Sequence, residues 1–464
     1  MVTFSELETR LRDCAELHER EVPATPDLNR RIMARVAITA RGEPARPTLK
    51  RELLLSALVA ASIVGLAIVV TVGVRSHLLQ PPVPAKHAPT PTAPAAPGSV
   101  VLIDSSQFIS ARVGWLSESR TTPAGPSLVY KTTDGGRHWQ QQLRWDGPGA
   151  QQMLFQGDDG VVVGQGGVPL FRTTDGGGHW QRMSLPQAVQ GAAGPIFFRN
   201  PREGWLLAYL NETYSDAVCS PGGCPLLGVF HTTDGGEQWT QAAKLKPMEA
   251  FPGAHLQGQL RFLDELNGWL IADTGSLSLP LVYATHDGGK SWKGVSLPSP
   301  QLGANESAII SQPPHFFTTD AGLLVVQTTP ICQAGTCPSP QAAPKSYLYR
   351  TNDGGDHWSG PSALPTIGSF GFDSVFFLDA AHYWMVADST VASSVDGGQH
   401  WSIHTNVVPA DLFLSQPQFI SDSEGWVIAT SPKLAVLPEM ALYRTTDGGA
   451  HWQAIPTPAP ALVR

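Results

Sequence analysis

Charged side chains are scarce in this chain: Asp, Glu, Lys and Arg make up 15% of its 464 residues. Gly (46) and Pro (40) are plentiful instead, a balance that fits many turns and few long helices. The formal charge is −8 and unevenly placed. Residues 1–98 hold 12 Lys/Arg against 9 Asp/Glu, while 99–464 hold 19 against 30, a net −11. A mildly acidic C-terminal part is a poor ligand for nucleic acid or anionic lipid, so nucleic acid is not expected as a partner. The sequence also lacks a Gly-rich loop between a strand and a helix, so neither a nucleotide nor any other cofactor is expected.

Cysteine is sparse too, at five residues. Cys14 stands alone, with His18 one helical turn on and no second pair to complete a metal site. The other four form two C-x4-C pairs, Cys219/Cys224 and Cys332/Cys337, in short Pro- and Gly-rich stretches. Such pairs suggest local disulfides, which persist in an oxidising compartment.

One long stretch carries no charge at all: the 22 residues from Leu53 to Val74. As a helix it would span about 33 Å, enough to cross a hydrocarbon core. It is too long, and starts too far from Met1, for a signal peptide. Arg30, Arg31, Arg35, Arg41, Arg46, Lys50 and Arg51 precede it, and only Arg75 and Lys86 follow closely. The positive-inside rule therefore expects the N-terminus in the cytoplasm and the bulk of the chain outside, anchored in the cell membrane by a single pass. Residues 80–98 are nearly all Pro, Ala and Thr, an extended spacer of up to about 60 Å. The expected divisions are a cytoplasmic tail with short helices (1–52), a transmembrane helix (53–74), a linker (75–99) and one large domain (100–464).

That domain is built from repeats. Seven times the chain reads [Thr/Ser]-x-Asp-Gly-Gly-x-x-Trp, at Asp134, Asp175, Asp234, Asp287, Asp353, Asp396 and Asp447. The Trp residues are Trp139, Trp180, Trp239, Trp292, Trp358, Trp401 and Trp452. In six copies an aromatic stands four residues before the Asp; Ala392 is the exception. The pattern predicts a hairpin corner. The carboxylate and the Thr/Ser hydroxyl accept backbone N–H bonds, and Gly-Gly supplies positive φ. The aromatic and the Trp are expected to pack within one sheet. Upstream, Phe is followed six residues later by Gly, usually Gly-Trp, as in Phe108/Gly114, Phe198/Gly204, Phe262/Gly268 and Phe419/Gly425. Weaker copies read as Phe316/Gly322, Leu154/Gly160 and Phe376 leading to Tyr383. Each unit then holds four strands: A ending near the Phe, B starting at Gly-Trp, C ending at the Asp and D starting at the Trp. Seven such sheets predict an all-β, seven-bladed β-propeller.

The corner resembles the Asp-box, or BNR repeat, of sialidase and sortilin-type propellers. Together with the Phe…Gly-Trp element, it more closely resembles the photosystem II assembly and stability factor family, over about residues 100–456. That resemblance implies a seven-bladed propeller serving as a binding or assembly module.

The seven Asp residues fall one per blade, so they are expected to hold turns rather than converge on a substrate. His138, His179, His357, His400 and His451, each just before a Trp, are too far apart for a zinc site and are expected on a solvated sheet face. No catalytic residue and no metal ligand is expected. The Arg-Ile-Pro sequence usual in sialidases is absent, and Arg172, Arg350 and Arg444 fall on strand C, away from the axis. The B–C connections vary most in length, and the two longest carry the C-x4-C pairs. The face formed by B–C and D–A loops, with 211–227 and 329–346 foremost, is therefore expected to bind a protein or glycan partner. A sialidase-like glycoside hydrolase and a transmembrane sensor signalling through the tail are the alternatives.

Overall fold

The computed structural model describes residues 100–458, apart from 123–124, 190–193, 216–218, 220–222, 252–258, 273–280, 301–305, 311, 331–344, 369–373 and 432–439. The expected tail, transmembrane helix and linker therefore lie outside the described residues, as do Cys332 and Cys337. No helix among the described residues is long and apolar enough to cross a membrane.

The described residues of the unit Leu79–Arg464 form a seven-bladed all-β propeller. Its sheets span 100–146, 150–183, 196–245, 260–295, 306–363, 375–404 and 413–455, here called blades 1 to 7. Each is an antiparallel meander of strands A to D in chain order. In blade 1 these are Val100–Phe108, Gly114–Thr122, Pro126–Thr132 and Gln140–Asp146. Blade 5 has five strands because its A strand is broken into Glu306–Ile309 and His315–Phe316. Pro313-Pro314 interrupts the ladder there, since proline has no N–H to donate.

The register explains the Phe…Gly spacing. Phe and Gly are direct cross-strand partners: Phe108 faces Gly114, Phe198 faces Gly204, Phe262 faces Gly268, Phe316 faces Gly322 and Phe419 faces Gly425. The ring lies on the glycine, so a Cβ at Gly114 would sit 2.4 Å from Phe108 Cδ1. Two expected assignments shift by one residue. In blade 2 the partner of Gly160 is Phe155, not Leu154, because Gly157 at φ +61 makes a tighter A–B turn. In blade 6 Phe377, not Phe376, pairs with Tyr383, which stands where the other blades have Gly.

The core lies between blades. Seven buried clusters occur among the described residues, one at each seam. Trp115 of blade 1 stacks on Phe155 of blade 2 at 3.8 Å, and Trp269 of blade 4 on Phe316 of blade 5 at 3.7 Å. The same contact closes the ring: Trp426 of blade 7 stacks on Phe108 of blade 1 at 4.1 Å, with the planes 3° apart.

Candidate functional site

Each Asp-Gly-Gly corner is a small hydrogen-bonded unit. At Asp175, Thr173 Oγ1 donates to Oδ1 at 2.9 Å and accepts from Gly177 N–H at 2.9 Å, and His179 N–H donates to Oδ1 at 2.9 Å. The same three bonds recur at Asp134, Asp234, Asp287, Asp353, Asp396 and Asp447. The N–H of the first Gly in each corner donates to the A–B turn of its own blade, as Gly135 does to Arg112 O at 2.8 Å and Gly448 to Ser423 O at 2.8 Å. The A–B and C–D turns therefore share one face of the propeller. The B–C and D–A connections leave from the opposite ends of the strands and form the other face.

The five histidines are exposed, but they precede strand D rather than lie on it, and they are not free. Each Nδ1 meets the second oxygen of its own Asp at 2.6–2.7 Å. At Asp134, Asp353 and Asp396 the backbone N–H four residues on, and then the His side chain, hold the carboxyl well below the ordinary carboxylate range. The indoles depart from expectation as well. Each sits just ahead of strand D, and in six blades it meets the Phe of strand A edge-on or tilted, as Trp139 meets Phe108 at 6.1 Å and 78°. In blade 6 Trp401 instead lies 6.4 Å from Tyr383. The bare Gly on strand B lets the Phe ring reach that indole, and in five blades the preceding blade's Trp stacks on the same ring.

Where the A strands converge lies a cavity of about 440 Å³, lined from six of the seven blades. None of the seven Asp or seven corner Trp residues lines it. Three seams beside it are tied by glutamines that bond twice to the neighbouring A strand. Gln418 accepts from Phe108 N–H at 3.0 Å and donates to its C=O at 3.2 Å. Gln107 does the same to Phe155 at 2.7 and 3.2 Å, and Gln152 to Phe198 at 3.0 and 2.9 Å. Arg261 and His315 stand in the same position, one residue before the Phe, in blades 4 and 5. Burial, and then the Arg261 charge, lower His315 to about 3, so its ring is neutral. Burial raises Asp104 to about 6 against the hydrogen bond from Ser119 at 2.7 Å, and no described residue bonds its Oδ2.

Arg172 and Arg350 lie outside the cavity and serve seams. Arg172 pairs with Glu237 of the next blade at 2.7 Å, and Arg350 donates to Gly397 O at 2.7 Å. Arg444 pairs with Glu424 of its own blade. Arg261 is the one arginine lining the cavity among the described residues, so a three-arginine sialidase clamp is not assembled from them. Sequence reasoning passed over Gln107, Gln418 and His315. Their signal was a polar residue immediately before the core Phe of an innermost strand.

On the opposite face the B–C hairpin of blade 3 has the longest B strand among the described residues, at 11 residues. Strand B runs Gly204–Tyr214 and strand C Cys224–Thr232, with Tyr214 opposite Cys224 after a register shift. Cys219 and Cys224 are joined as a disulfide.

Residues 97–206 match the family model described as photosynthesis system II assembly factor YCF48. Over that stretch the chain is similar to photosystem II assembly factors. Among solved structures, one described as YCF48 bound to D1 peptide is 17% identical, with a TM-score of 0.46, covering 76% of this chain and 96% of that one. YCF48 from Cyanidioschyzon merolae is 18% identical, with a TM-score of 0.44, covering 72% and 94%. A polysaccharide lyase of the PL25 ulvan lyase family is 11% identical, with a TM-score of 0.39, covering 65% and 81%. No curated protein matches this chain.

Proposed function

We propose that this propeller is a non-catalytic binding and assembly module, displayed outside the cytoplasm on a single-pass membrane anchor, whose partner docks on the B–C and D–A face. The match of residues 97–206 to an assembly-factor family carries the reading. The form of the two faces supports it. The Asp-Gly-Gly side is committed corner by corner to its own hydrogen bonds, whereas the B–C side carries the long hairpin of blade 3, tied by Cys219–Cys224. A closed loop loses less freedom on docking, so less of the contact energy goes into ordering it. The second loop expected to bind, 329–346, lies mostly outside the described residues. The anchor rests on the uncharged run 53–74 and the arginines before it. The seven Asp and seven Trp residues act in architecture and not in binding.

A photo-crosslinking residue in the full-length protein, in its own membrane, tests the face. At exposed Ser215 it should capture a discrete protein or glycoconjugate; at exposed Arg137, on the corner side, it should not. Capture at 137 and none at 215 would reverse the assignment. Protease added to intact cells should digest the propeller, and full protection would remove the extracytoplasmic placement.

A further inference from the structure

We propose that the axial cavity is a small-molecule site for a ligand bearing one carboxylate, held by Arg261. The first ground is the residue that stands before the core Phe. In blades 1 and 7 the residue before the core Phe is Gln107 or Gln418, and its amide is used in both directions by the neighbouring strand. In two adjacent blades, 4 and 5, that position holds Arg261 and His315. No described residue hydrogen-bonds or ion-pairs with the Arg261 guanidinium. Burial lowers its pKa without any compensating charge. Half-buried at the cavity wall, the guanidinium keeps its charge with no described acid paired to it, so an anion that reaches it gains a partner. A carboxylate entering the cavity supplies the missing partner through two parallel N–H···O bonds.

The second ground is the wall around the guanidinium. His315 is neutral, with no described hydrogen-bond partner at either ring nitrogen, so it can donate one further bond without adding charge. Leu323, Val325 and Phe376 give the cavity an apolar side suited to a carbon skeleton. Asp104 of blade 1 is the one acidic residue among those lining the cavity. One cation against one acid of raised pKa suits a monoanion and disfavours a phosphate dianion. At about 440 Å³ the space takes a ligand of roughly sugar or single-residue size. This site is separate from the loop face and stands whether or not a macromolecule docks there.

Calorimetry on the full-length protein in detergent tests the inference with two pairs of probes. These are D-glucuronate against D-glucose, and N-acetyl-phenylalanine against its amide. At least one carboxylate should bind ten-fold or more tightly than its neutral counterpart. Glucuronate alone would mark a sugar-acid ligand, and the acyl amino acid alone a peptide end. Arg261→Met should lower that affinity at least ten-fold, with Arg261→Lys in between. Asp104→Asn should tighten binding at pH 8 and leave it unchanged at pH 4.5, where the carboxyl is already protonated. Equal binding of acid and neutral probes to the unmutated protein, no binding of either acid, or full affinity in a folded Arg261→Met protein would overturn it.

Discussion

The buried hydroxyl of Thr173 donates to Asp175 Oδ1 and accepts from the N–H groups of Gly177 and Asp175. Thr173→Val keeps the shape and removes all three bonds, leaving a buried N–H without its partner. We expect a loss of about 1–3 kcal/mol in urea unfolding, whereas exposed Thr174→Val should stay within about 0.5 kcal/mol. Asp104 poses the opposite residue-scale problem. Its folded pKa, about 6, lies above the ordinary value of 3.8 because burial penalises the charge. A raised pKa favours folding below pH 4, where folded and unfolded chains are both protonated, and that contribution fades as pH rises through 6. Asp104→Asn removes the dependence. Relative to the unmutated protein, its melting temperature should rise between pH 4 and pH 7, with a difference of order 2 kcal/mol at neutral pH. An unchanged difference across that range would mean that Asp104 titrates normally.

Between strands, the Phe–Gly pair is what gives a blade its inner edge. Phe419 is stacked by Trp384 at 3.8 Å and met edge-on by Trp452 at 6.1 Å, while its ring lies over Gly425. A Cβ on Gly425 would come within 2.5 Å of that ring, which has an indole on either side and nowhere to move. Gly425→Ala should therefore cost about 1–3 kcal/mol by overpacking, although alanine suits a strand better than glycine. Blade 6 shows how the element tolerates a large residue. Tyr383 occupies the glycine position, and Phe377 turns to meet it at 89°. The two-residue turn Gly157–Asp158 likewise moves the pairing from Leu154 to Phe155. Both shifts came from register, which a side-chain pattern specifies only to within a residue when both candidates are apolar.

At the scale of the whole molecule, every described sheet is one continuous stretch of chain, so no strand from one end completes a blade at the other. The ring is closed by side chains at the seam of blades 7 and 1: the Trp426–Phe108 stack, the Gln418 clasp, and Trp139 Nε1 donating to Pro456 O at 2.8 Å. Trp426→Ala and Phe108→Ala should each cost about 3–5 kcal/mol. In a double-mutant cycle by chemical denaturation they should couple by about 1 kcal/mol, because either truncation already removes the stack. Fully additive losses would show that the two rings contribute independently and that closure rests elsewhere.

The repeat count, the all-β class, the strand order within a blade and the corner chemistry were legible in the residues themselves. Each depends on contacts within some twenty residues, and the spacing of Thr, Asp, Gly-Gly and Trp records those contacts directly. What the amino-acid order leaves open is decided between blades. The Phe stacks on the Trp of the preceding blade, Gln107 and Gln418 tie neighbouring A strands, and Arg261, His315 and Asp104 meet around one cavity from blades 4, 5 and 1. Those residues are far apart in the chain, and only the curvature that brings seven A strands to a common axis makes them neighbours.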